Sequence, residues 1–265
     1  MKNLFKIAIF SIFIFMLSSC GDDMSRDSRI KDNIALKSIK TIALLNFSIN
    51  SDCTIGSGED VGFVKNVETI KYWGKLHLLS IDSIIKTNKS PTFLDLNKMI
   101  KSKEYQNFNL QHSYLTNRIE SLPRWISPGK NYINTFEGLG IIKANTTNSK
   151  MFCETLKTDA ILSIEVTYGL DESFNIPILG NFIKPNWSSF CKVNSDLFNT
   201  KGDLVWHYEF KVDSPIKIKA NKSLNLVLYS NSSITGKQSD ELLKSVELHS
   251  SKKIIEALFG DINDL

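Results

Sequence analysis

In the segment Leu204-Val-Trp-His-Tyr-Glu-Phe-Lys-Val212, a histidine and a carboxylate stand two residues apart. Successive side chains of a strand point to opposite faces. His207 and Glu209 would therefore share one face, the arrangement of two metal ligands or an acid–base pair. A zinc site needs a third ligand from a neighbouring strand, and no segment supplies one by spacing. The pair is read as part of a solvated polar face. His77, His112, His207 and His249 are far apart in sequence. His77 falls on the apolar stripe of a helical segment, where a hydrogen-bonded core histidine is expected rather than a ligand. The stretch Thr54-Ile-Gly-Ser-Gly-Glu-Asp-Val-Gly62 follows a strand and precedes a helix. Its glycines do not follow the strand immediately, and no acid follows a second strand, so it reads as a loop rather than a dinucleotide site. Neither a GxSxG elbow nor HExxH nor GxxxxGK[ST] occurs. Asp22-Asp23 and Glu59-Asp60 are acid pairs in polar segments. No catalytic residue, metal site or cofactor is assigned from the sequence.

The clearest chemistry lies at the start, MKNLFKIAIFSIFIFMLSSCGDD. Lys2 and Lys6 precede an apolar run that ends at Leu17. That run is shorter than the ~20 residues a spanning helix needs. Charge, short apolar core and small residues make a secretory signal. Leu17-Ser-Ser-Cys20 then resembles the bacterial lipoprotein signal. The resemblance implies that Cys20 receives a diacylglycerol through its thiol and becomes the first residue of the mature chain. Gly21 is not the aspartate of the commonest inner-membrane retention signal, although Asp22 and Asp23 leave sorting open. The implied location is the bacterial cell envelope, on the outer membrane, at its periplasmic face or the cell surface.

Without residues 1–19 the chain has 246 residues and a net charge of about +2. That is no footprint for nucleic acid, which requires a concentrated basic face. Beyond Cys20, three cysteines remain: Cys53, Cys153 and Cys191. In an oxidising compartment two of them could form a disulfide; the sequence leaves all three pairings open, with buried unbonded thiols as the equal alternative.

The elements that would carry these groups follow from periodicity. Residues 20–38 are polar without a period and read as a lipidated flexible tether, reaching roughly 20–25 Å by random-coil scaling. Residues 39–265 read as one α/β domain, with a strand over 40–50 that is buried on both faces at its start. Val67 to Lys86 has helical spacing, with Trp73, His77, Ile81 and Ile84 on one face. Ser90 is expected to cap a helix that starts at Pro91 and runs to about Lys103. Residues 104–143 look less regular. A helix over Asn145–Thr158, with Met151, Phe152 and Leu156 inward, feeds a half-buried strand over Asp159–Tyr168. Residues 171–187 read as a loop or broken hairpin. Strands over Ser189–Phe198 and Leu204–Val212 should pair through Asn199-Thr-Lys-Gly-Asp203. A strand over Ser223–Ser230 and a helix over Gln238–Phe259, capped by Gly260, close the chain. The expected class is α+β, a mixed sheet with helices packed on it.

Three pieces of this order, KTIALLNF, LKTDAILSIEV and NTKGDLVWHYEF, resemble strands of periplasmic lipoprotein domains. These are the curli-secretion lipoprotein, the penicillin-binding-protein activator lipoproteins and the N-terminal domain of the Tol-system β-propeller protein. Asn46 replaces their proline, and Lys157-Thr158 replaces their Gly-Ala. The resemblance implies a non-enzymatic adaptor that binds an envelope protein while its lipid holds the membrane. The alternative is an exported hydrolase whose site is assembled from distant residues. The oligomeric state is not readable.

Overall fold

The computed structural model describes residues 24–50, 67–87, 90–112, 132–134, 136–173, 186–219 and 236–264. Its elements in chain order are α1 (Arg26–Arg29), α2 (Asn33–Ser38), β1 (Thr41–Asn50), α3 (Val67–Thr87), β2 (Thr92–Phe93), α4 (Leu96–Lys101) and α5 (Lys103–His112). There follow β3 (Tyr132–Asn134), α6 (Thr146–Leu156), β4 (Ala160–Ser173), β5 (Asn186–Asn199), β6 (Leu204–Asp213), β7 (Ile218–Lys219) and α7 (Gly236–Asn263). The chain is α+β. Its mixed sheet has the main order β2-β1-β4-β5-β6, with β3 beside β1 and β7 beside β5.

β1 and β4 are parallel central strands, and both are rich in β-branched and aliphatic residues, as strands covered on both faces are. Ile42, Ala43, Leu45, Phe47 and Ile49 are all buried. Asp159 ties the two strands at their start. Its Oδ2 accepts from the backbone N–H groups of Lys40 and Thr41 at 3.0 and 2.9 Å and from Thr41 Oγ1 at 2.9 Å. Lys157, the C-cap of α6, has φ 55°. It holds the left-handed position that glycine usually fills, which lets α6 turn straight into β4.

β4, β5 and β6 form an antiparallel meander. The β5–β6 turn needs Gly202, whose φ is +82° and whose α-hydrogen faces Thr146 O too closely for any Cβ. One face of the meander carries Ile164, Val166, Tyr168, Cys191, Val193, Trp206, Tyr208 and Phe210, all buried. α3 and α7 cover this face and pack on each other. The opposite face is buried where α6 crosses β1, β4 and β5, over Ala43, Ile161 and Phe198. Farther along it, Lys192 and Glu209 are exposed.

Several expectations are corrected. Residues 24–38 are not a free tether: they form α1 and α2 and lie on the outer edge of β6. Ser25 caps α1 and Asp32 caps α2, Ile30 bridges Trp206, and Leu36 is wholly buried. The isolated apolar residues Ile30 and Leu36 gave no period because the segment is too short for one. Helix α4 starts at Leu96, capped by Asp95, not at Pro91. Thr92 and Phe93 pair with β1 instead, and Ser90–Pro91 is a cis peptide. Helix α5 replaces part of the irregular stretch expected after residue 103. In α6, Phe152 points inward while Met151 is exposed. Gly260 is not a C-cap, because α7 runs on to Asn263. β4 and β5 extend the hairpin into the expected loop, as far as the pair Ser173↔Asn186. The signal segment, Cys20, Cys53, the glycine-rich stretch 54–62 and the strand expected over 223–230 lie outside the described residues. No described helix is long and apolar enough to cross a membrane.

Candidate functional site

Two arginines of α1 converge on one carboxylate of α7. Asp261 is 2 % exposed. Its Oδ2 accepts from Arg29 Nε at 2.6 Å and from Trp206 Nε1 at 2.9 Å. Its Oδ1 accepts from Arg29 Nη2 at 2.8 Å, and Arg26 Nε lies 3.4 Å from the same oxygen. Arg29 Nη1 donates to Met24 O at 2.9 Å, and the Arg29 guanidinium lies 5.0 Å from the Tyr208 ring centroid. Bidentate pairing is the geometry that a guanidinium fork offers a carboxylate. The backbone adds two bonds, from Lys31 N and Asp32 N to Val205 O at 2.9 and 3.2 Å. Glu209 N donates to Met24 Sδ at 3.3 Å. Three distant parts of the chain therefore meet here: the segment after Cys20, the edge strand β6 and the last turn of α7. The site latches residues 24–32 onto the body.

The sequence reading missed both ends of this latch. Arg29 lay in the expected tether, and Asp261 lay beyond the expected C-cap. One signal could have found the second. The apolar spacing Ile254, Ile255, Leu258, Phe259 continues to Ile262, past Gly260, and keeps Asp261 on the helix.

His77 is fully buried, as its place on the apolar stripe suggests. Its Nδ1 lies 2.6 Å from Tyr168 Oη and its Nε2 lies 3.2 Å from Ser250 Oγ, and the Phe47 ring meets it edge-on. A serine beside a histidine invites a nucleophile reading, but the proton directions oppose it. Ser250 Oγ already donates to Glu247 O at 2.9 Å. Its oxygen therefore accepts from Nε2–H, and Nδ1 accepts from Tyr168 O–H. Such a histidine cannot take a proton from that serine. Burial lowers the His77 pKa to about 3, so the ring is neutral. Close by, burial raises the Glu247 carboxyl above its ordinary range, opposed by a hydrogen bond from Ser80. This is a polar stitch joining α3, α7 and β4 inside the core.

His207 and Glu209 do share a sheet face. His207 Nδ1 pairs with Asp196 Oδ1 at 2.7 Å across β5–β6, and Glu209 is exposed. Among the described residues no group of three His, Cys, Asp or Glu side chains is arranged to hold a metal ion. Cys153 and Cys191 are buried and form no disulfide with each other. Burial pushes the Cys153 thiol up to about 11, which makes it a poor nucleophile.

No family model matches this chain, and no curated protein does. Among solved structures, it is similar to the hypothetical protein CT253 from Chlamydia trachomatis, with 12% identity and a TM-score of 0.31, over 81% of this chain and 97% of that one. It is also similar to a neuraminyllactose-binding hemagglutinin homolog from Helicobacter pylori, with 11% identity and a TM-score of 0.38, over 86% of this chain and 92% of that one.

Proposed function

We propose that the protein is a lipid-anchored lipoprotein of the bacterial envelope that acts as a non-enzymatic adaptor, binding a protein partner at the membrane to which Cys20 attaches it. The observation that carries this reading is the latch. With residues 24–38 built into the body, only four peptide units separate Met24 from Cys20. Four residues span at most about 14 Å, against the 20–25 Å of the free tether expected from sequence. A lipid on Cys20 would thus hold the whole folded body beside the membrane. Holding a domain there raises its effective concentration toward fixed membrane partners, which is what an adaptor gains from an anchor. The strand segments that resemble envelope lipoprotein domains support the same reading, and Gly21, in place of the aspartate of the commonest inner-membrane retention signal, favours the outer membrane.

The test is crosslinking in intact cells followed by mass spectrometry, with Cys20→Ser as control. The reading expects a reproducible envelope protein that is lost in the control. Turnover of a substrate by the purified protein, with no crosslinked partner, would instead favour an exported hydrolase.

A further inference from the structure

We propose that residues 24–32 are a displaceable strap over the edge of β6, and that the adaptor's partner docks there by replacing them with an extended segment that brings an arginine to Asp261. This inference rests on the adaptor reading above and adds to it the docking site and the chemistry of the contact.

Two observations carry it. The first is what the strap covers and how thinly. β6 ends the order β2-β1-β4-β5-β6, and among the described residues no further strand lies beyond it. An open strand edge is a template for another chain, and proteins cover it. Here the cover is a bridge from Ile30 to Trp206 and the backbone bonds of Lys31 and Asp32 to Val205 O. Helix α1 has four residues, none of them buried. A helix needs roughly 12–15 residues to hold on its own in water, so α1 stays formed only while docked. Helix α2, by contrast, buries Leu36 completely and keeps its place when the strap leaves.

The second observation is that charge holds the strap, and that the charge is imperfectly matched. The single carboxylate of Asp261 faces two guanidiniums, and Arg29 takes it bidentately. The Nε and Nη2 of Arg26 are shielded inside the latch without a hydrogen bond. Shielded donors left unpaired oppose docking, so a better-matched segment outcompetes the strap. The socket defines that segment. With the strap gone, Asp261 keeps only Trp206 Nε1 of its present donors, and a guanidinium fork is the group that fits such a carboxylate. Val205 O takes a backbone N–H, as it now does from Lys31 and Asp32. An arginine followed by an apolar residue in extended backbone meets these demands, as Arg29 and Ile30 do in the strap. The partner segment thus joins β6 by strand addition.

The experiment adds a synthetic peptide of residues 24–32, with benzoylphenylalanine in place of Ile30, to the purified full protein and reads photocrosslinks by mass spectrometry. In wild type the strap fills the site and the yield is low. In Arg29→Ala the strap is loosened while Asp261 stays. The yield should then rise at least about tenfold, because apparent affinity follows the fraction of chains whose site is open. The crosslinks should fall on β6 or the last turn of α7. The gain should vanish when the peptide's own arginine at position 29 is alanine, or when the protein also carries Asp261→Asn. Unchanged hydrogen exchange in β4 and β5 shows that the body is folded; if Arg29→Ala disturbs it, Arg29→Lys, which keeps the charge and loses the fork, takes its place. Equal yields in wild type and the loosened variant would overturn the strap as a cover. A yield indifferent to the peptide's arginine would overturn the proposed chemistry. Crosslinking in intact cells separates the two levels. No envelope partner of the wild type defeats the adaptor reading itself, whereas a partner kept at full yield by Asp261→Asn leaves the adaptor standing and overturns this docking site.

Discussion

Replacing Asp261 by asparagine should loosen the latch while leaving most of the body folded. The amide keeps size and one acceptor, so Trp206 Nε1 retains a partner. What is lost is the charge that two guanidiniums share. Breaking a buried ion pair from one side costs about 3–5 kcal/mol. Arg29 is 16 % exposed and Arg26 40 %, so water screens part of that, and roughly 2–3 kcal/mol is the expected loss. The loss should be local, because α1 and α2 are short and docked on one edge. Hydrogen exchange by mass spectrometry is the assay. Peptides covering residues 24–38 should exchange about 30- to 150-fold faster in Asp261→Asn, at 1.4 kcal/mol per decade. Peptides of β4 and β5 should change far less. Arg29→Ala should give the same pattern. Unchanged exchange over residues 24–38 would refute the latch, and a uniform rise across the sheet would refute its local character.

The His77 stitch predicts an acid loss of stability. Its pKa falls from 6.5 in the unfolded chain to about 3 in the folded one, so between these values the unfolded chain binds more protons and stability declines as pH falls. From pH 7 to pH 5 this group should cost about 2 kcal/mol, read by urea denaturation as the difference in pH slope between wild type and His77→Gln. Glu247, raised by burial, acts in the opposite sense and is common to both proteins; equal slopes would refute the assignment. Gly169→Ala should destabilise by about 1–3 kcal/mol, because a Cβ there would strike the Phe190 ring, and the paired Phe190→Leu change should recover part of it in thermal melts. His207→Ala should cost within about 1 kcal/mol, since the Asp196 pair is only half-buried; a much larger loss would mean that this face is an organised site.

What could be read in the sequence was whatever repeats. Ala43, Leu45, Phe47 and Ile49, then Trp206, Tyr208 and Phe210, alternate over enough residues to declare strands and faces, and the apolar stripe through His77 declared both its helix and its burial. The turn at Gly202 was legible because the left-handed conformation demands glycine. The latch was not legible, because it joins residues 232 positions apart through one bidentate contact that leaves no local period. α1 and α2 have four and six residues, too few to show an amphipathic face, and they fold because β6 and Asp261 hold them. Likewise Pro91 looked like a helix start, yet the neighbouring edge of β1 drew Thr92 and Phe93 into the sheet.

The most direct measurement is the mass of the N-terminal peptide of the mature protein isolated from its own membranes. The account predicts a peptide beginning at Cys20 that carries acyl chains, with the protein retained in the membrane fraction after a high-salt wash. A mature N-terminus at another residue, or an unmodified Cys20 on a protein that the wash releases, would contradict it.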